Sequence, residues 1–172
     1  KAIEFDPTMM PAYHELGAVQ LQLKNSNDYR DTLTKAKSLS GKSPEKERLF
    51  FEADYASLVE GDRPKAIELL EELTEKYPKE KRAFWLLANN YYFAGRLGEA
   101  IPVYLRALEL DSTFEIVLDE LGEVYMTQGD FTRALSVYRK YRSLYPRDAN
   151  PLVCLARAYY KKGNLRKSIE KC

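Results

Sequence analysis

The stretch "LGEVYMTQGD", residues 121–130, reads as good helix apart from two glycines. Gly129 stands where a helix would stop, but Gly122 lies inside it, at a cost of about 1 kcal/mol relative to alanine. Related strings recur on either side: "LANNYYFAGR" begins at Leu87, 34 residues earlier, and "LARAYYKKGN" begins at Leu155, 34 residues later. The chain is built on a period, and the period is what explains the glycine.

Aligned on itself at 34 residues, the chain puts Gly61, Gly95, Gly129 and Gly163 in one column. Ala66, Ala100, Ala134 and Ser168 form a second, Tyr91, Tyr125 and Tyr159 a third, and Pro78 and Pro146 lie 68 apart. Within a unit, Leu118, Leu121, Gly122 and Tyr125 follow the spacing of one helical face. Gly129-Asp130 then supplies a helix stop and a polar start for the next helix. Ala134, Leu135, Tyr138 and Tyr141 continue at helical spacing until Pro146. Each unit is expected to be a helix-turn-helix. Gly122, with Ala88 and Ala156 in its column, is expected to sit where paired helices cross closely. Ser43-Pro44, Asp62 before Pro64, and Asn150-Pro151 place capping residues ahead of prolines suited to a first helical turn. Pro102 falls inside a second helix, but the bond it forfeits reaches back only to Gly98 near the helix start.

Leu121, Gly122, Tyr125, Gly129, Ala134, Tyr138 and Pro146 together resemble the tetratricopeptide-repeat signature. Residues 84–111 resemble it as closely, with Ala88 at the small position. The resemblance implies an all-α solenoid, a right-handed superhelix of antiparallel helix pairs, over residues 1–172. Four repeats are expected at 10–46, 47–80, 81–114 and 115–148. Residues 1–9 would end a preceding repeat and 149–172 begin another, as in a piece of a longer array. The 47–80 copy is weaker, with Ala53, Asp54 and Ser57 where Leu, Gly and Tyr are usual. The 10–46 copy keeps Tyr13, Leu16 and Gly17 but carries three extra residues near "NSND", 25–28. Residues 43–62 are loosely similar to arrays attached to bacterial signalling proteins such as kinases and cyclases.

Composition narrows the chemistry. The net charge is +1, which gives no general attraction to nucleic acid or anionic lipid. No apolar run approaches the roughly 18 residues of a membrane span. The chain opens at Lys1 rather than at a methionine, so an upstream segment is expected. A cytoplasmic location is the expectation, with a periplasmic or extracytoplasmic one left open. Cys154 and Cys172 are too few for a disulfide framework or a four-ligand zinc site. His14 stands alone and is expected to pack or to lie at the surface. Residues 36–43, "AKSLSGKS", match a loose phosphate-loop pattern, but helix rather than strand precedes them, and they read as the turn between repeats. No nucleophile–base–acid set can be assembled. No catalysis, metal or cofactor is expected.

Function is therefore expected on the first helix of each repeat, which lines the concave side in this family. Off the packing stripe these helices carry Phe51 and Tyr55; Arg82, Trp85, Asn89 and Tyr92; Asp119, Glu120 and Glu123; and Arg157, Tyr160 and Lys161. A solvated face would be short of large aromatics, and exposed aromatic clusters mark binding sites. The bland alternative is that the acidic and basic steps pair across repeats, which contributes little at a surface. Charge is also polarised, −5 over 47–80 and +5 over 149–172. The expectation is a protein-interaction module that takes a peptide or partner segment in its groove. The alternatives are a structural scaffold, self-associating through open array ends, and RNA binding. The last would need a uniformly basic groove, whereas Glu52, Asp119, Glu120 and Glu123 line this one. Some arrays of the family clamp a C-terminal carboxylate with Lys and Asn columns. Only Asn89 fits that pattern, and Trp85 and Glu120 occupy columns it needs, so that activity is not carried over.

Overall fold

The structure is a computed structural model that describes residues 9–23 and 28–163. The helical periodicities become α1 (Met10–Gln22), α2 (Asp28–Leu39), α3 (Glu45–Tyr55), α4 (Arg63–Lys76), α5 (Lys81–Phe93), α6 (Leu97–Leu110), α7 (Glu115–Thr127), α8 (Phe131–Leu144) and α9 (Asn150–Lys161). The described residues contain no strand, and the fold is an all-α solenoid type. The chain divides into two compact units, Lys1–Pro78 and Lys79–Cys172. In the first, α1 pairs with α2 and α3 with α4; in the second, α5 pairs with α6, α7 with α8, and α9 packs on α8. Of the expected partial repeats, residues 1–8 and 164–172 lie outside the described residues, as do residues 24–27, which include all of the expected insertion at 25–28 except Asp28.

The glycine column does what its spacing requires. Gly61, Gly95, Gly129 and Gly163 all have φ between 71° and 80°. At the end of α7 the Gly129 amide donates to Met126 O (3.1 Å) and the Asp130 amide to Tyr125 O (2.9 Å). That double closure needs a left-handed residue, which glycine adopts without a Cβ penalty. Asp130 then caps α8 by accepting the Arg133 amide at 2.9 Å, and Asp62 caps α4 through Lys65 at 3.1 Å. The other two expected caps differ. Pro44 rather than Ser43 precedes α3, and Asn150 is already the first residue of α9. The Asn150 amide instead donates to the Asp148 carboxylate at 2.9 Å. Pro102 is carried inside an unbroken α6.

Gly122 is a contact point between paired helices. A Cβ there would lie 2.2 Å from Cε1 of Tyr138, whose ring is fully buried. Gly17 stands in the same relation to Leu33, at 2.7 Å from its Cδ2. Gly122→Ala therefore sets a helix-propensity gain of about 1 kcal/mol against overpacking of about 1–3 kcal/mol. Because the Tyr138 ring has no room to retreat, the expected result is a net loss of about 1–2 kcal/mol in urea unfolding. A variant more stable than the parent would show that the crossing is loose.

The first unit shows how the weak repeat is accommodated. Asp54 occupies the column of the small residue, and its Oδ2 lies 2.8 Å from Nε2 of His14 on α1. His14 is itself buried and meets the Phe51 ring edge-on at 5.4 Å. After Tyr55 the helix widens into a π turn, Ala56–Glu60, before Gly61. Residues 36–43 are the end of α2, a short 3-10 turn and Ser43, in keeping with a connection between repeats. Leu16 and Val19 on α1 are 39% and 49% exposed, whereas Leu87, Leu121, Leu155, Val124 and Ala158 in the same two columns are buried. No described helix precedes α1 to cover them.

Candidate functional site

In the second unit the first helices α5, α7 and α9 are linked side by side by their own polar side chains. Trp85 on α5 donates its indole Nε1–H to Oε2 of Glu120 on α7 at 2.6 Å. Asn89, one turn on, donates from Nδ2 to Glu120 Oε1 at 3.4 Å. The Tyr104 hydroxyl of α6 donates to Asn89 Oδ1 and also lies against Glu120. From α7 to α9, Glu123 pairs with Arg157 and accepts the Tyr138 hydroxyl at 3.4 Å. The Cys154 thiol donates to Asp119 Oδ1 at 3.1 Å.

The electrostatics of the row are uneven. Burial pushes the Glu120 carboxyl up to about 7, and the nearby Asp119 adds to the rise; hydrogen bonds from Trp85 and Asn89 only partly oppose it. Burial, then Asp119, pushes the Cys154 thiol up to about 12, so it stays protonated and serves as a packing group. The Arg157 and Glu123 side chains remain 46% and 40% exposed, and their pair contributes little to stability. Next to the row, Phe114, Glu115, Ile116, Asp119, Tyr141 and Asn150 line an open hollow of about 370 Å³. Phe114 stacks obliquely on Trp85, with ring centroids 6.3 Å apart.

The expected groove residues do not all lie on an accessible face. Phe51 is a correction: its side chain is 0% exposed and belongs to a core cluster with Met10, Leu33 and Ala36. α1 and α2 cover the face of α3 on which it lies. Tyr55 is half-buried at the edge of that core, with the Lys37 ammonium 5.3 Å from its ring centroid. In the second unit Trp85, Asn89, Tyr92, Asp119, Glu120 and Glu123 are half-buried, whereas Arg82, Arg157, Tyr160 and Lys161 are exposed. The contacts join Trp85, Asn89 and Glu120 in one cluster and Glu123 and Arg157 in another. Pairing across repeats, the bland alternative, accounts for the second. The sequence reading missed Tyr104 and Phe114. Tyr104 shares the column of Tyr138 at the 34-residue spacing, which was the available signal; Phe114 lies just before α7 and carries no periodicity.

Two family models, both described as tetratricopeptide repeat, match residues 56–113 and 114–158. The chain belongs to the tetratricopeptide-repeat family. As a tetratricopeptide array it is a protein–protein interaction module on a fold that typically serves as a non-catalytic scaffold. No curated protein matches it in sequence. Among solved structures it is similar to PilW, a type IV pilus biogenesis factor, at 18% identity over 99% of this chain and 78% of that one, with a TM-score of 0.78. TTC0263, a thermophilic tetratricopeptide protein of Thermus thermophilus, aligns at 18% identity over 95% and 88%, TM-score 0.73. YrrB, described as having an unusual peptide-binding site, aligns at 18% identity over 99% and 86%, TM-score 0.64. At these identities the likeness is one of fold. No helix among the described residues is long and apolar enough to cross a membrane.

Proposed function

We propose that the linked first helices α5, α7 and α9 form a groove that binds an extended or helical segment of a protein partner, without catalysis. The observation that carries this reading is the row of Trp85, Asn89, Glu120, Glu123 and Arg157 running across the first helices of three successive repeats. Beside that row Tyr92, Val153 and Tyr160 offer apolar surface, with Val153 61% and Tyr160 59% exposed. A half-dry polar row flanked by aromatic and apolar anchors fits the arrangement in which a few central residues dominate binding. A peptide-binding site described for YrrB, which shares the fold, is consistent with it.

The experiment is peptide display against the chain, run in parallel on a Trp85→Ala/Tyr92→Ala/Glu123→Lys variant shown by circular dichroism to be folded. The expected outcome is a shared motif enriched by the parent and lost by the variant. Equal enrichment on both would move the binding surface elsewhere. No enrichment on either would sink the groove reading.

A further inference from the structure

The Glu120 carboxyl, like those of Glu115, Asp119 and Asp148 in the second unit, is held by neutral partners. Glu123 has Arg157 and Asp111 has Lys81 at 2.5 Å, whereas the hydrogen bonds to Glu120 come from neutral groups, Trp85 and Asn89. Among the described residues no lysine, arginine or histidine pairs with it. The ionisable groups that face it are the Tyr104 phenol on α6, held protonated by burial and by Glu120 itself, and Asp119 beside it on α7, which repels its charge. The flanking charges, Glu123 and Arg157, neutralise each other. An ionised carboxylate accepts about four hydrogen bonds, and those from Trp85, from Asn89 at 3.4 Å and from the adjacent Tyr104 hydroxyl leave capacity for another. A half-buried carboxylate without a cation gives up solvation that no ion pair restores. Its position in the middle of the row, between α5 and α9, makes it the place where an incoming cation gains most.

We propose that Glu120 receives the cationic side chain, lysine or arginine, of the segment that binds the groove, an inference that rests on the groove reading. The half-buried Trp85 ring supplies apolar surface for the methylene stem of such a side chain, while its charged head reaches the carboxylate; the Phe114 ring behind it already carries the Lys81 ammonium at 4.8 Å. Only the ionised form of Glu120 makes that pair, so binding expels the proton that burial retains near neutrality. Affinity for a basic segment then falls about tenfold between pH 8 and pH 6, as the carboxyl is protonated ahead of binding.

The direct test needs no known partner. The Glu120 carboxyl, identified by its loss in Glu120→Gln, is titrated by carbon-13 NMR with N-acetyl-arginine amide, or with N-acetyl-glutamine amide at matched ionic strength. With the arginine probe at about twice its dissociation constant, the titration midpoint is expected to move down by roughly half a pH unit. The Trp85 indole N–H resonance should move with it. Equal midpoints in the two compounds would overturn the proposal. For peptides enriched by display, the tenfold pH effect should be present with the parent and absent with Glu120→Gln. Enriched motifs lacking lysine and arginine would overturn the cation assignment and leave the groove standing. A selection that enriches nothing removes the groove and, with it, the partner assigned to Glu120.

Discussion

Phe51→Ala is expected to destabilise the first unit by about 3–5 kcal/mol, the range for deleting a fully buried phenylalanine. The ring makes an edge contact with His14 at 5.4 Å and a tilted one with Tyr55 at 5.8 Å, and Met10, Leu33 and Ala36 close the cluster around it. Contributions come from α1, α2 and α3, so no single helix can move to refill the cavity. The penalty should exceed that of typical point mutants, which centre near 1 kcal/mol. Repeat proteins lose stability locally when one interface is weakened. The measurement is therefore hydrogen exchange resolved by residue, with urea unfolding alongside. Protection should collapse in α1 to α3 first. A loss below about 1 kcal/mol would mean that the ring is not packed as described and that Phe51 is available at the surface.

Glu120→Gln has the second largest expected effect, and it depends on pH. The folded carboxyl titrates at about 7, above the ordinary value of 4.5. The folded chain therefore binds more protons than the unfolded chain between those values. The favourable contribution of the protonated acid is fully present below about 4.5 and is lost as pH rises through 7. The loss amounts to about 2–3 kcal/mol once exposure of part of the group is allowed for. Glutamine keeps an amide oxygen to accept the Trp85 indole N–H and cannot ionise. At pH 8 the variant should be more stable than the parent by about 2–3 kcal/mol, and at pH 4.5 the difference should nearly close. Parallel stability curves across that window would show that the ionised carboxylate is solvated. With glutamate at this position the chain gives up stability above neutrality.

The comparison of Phe51 with Trp85 shows where sequence reading stops. Both lie in one column of the repeat, 34 residues apart, on the same nominal face of a first helix. Phe51 is buried and Trp85 half-exposed, because α1 and α2 cover one and a polar neighbour, Glu120, meets the other. Glu120 itself was legible as a groove residue but not as a weak acid, since burial rather than residue type sets its titration. Asp54 departs from the repeat pattern, and His14 is the lone histidine of the chain. They meet across 40 positions, and each accounts for the other.

The sequence by itself determined the period, the helices, the left-handed glycine at each turn and the close crossing at Gly122. These are local or repeated features: a 3.6-residue periodicity, a φ that glycine adopts freely, and one column read several times over. Tertiary structure alone decided which face of each first helix is covered, which acids have a cation beside them and which ring is core. Those outcomes depend on partners about 35 to 40 residues away, such as Trp85 with Glu120 and His14 with Asp54, whose approach no local pattern encodes.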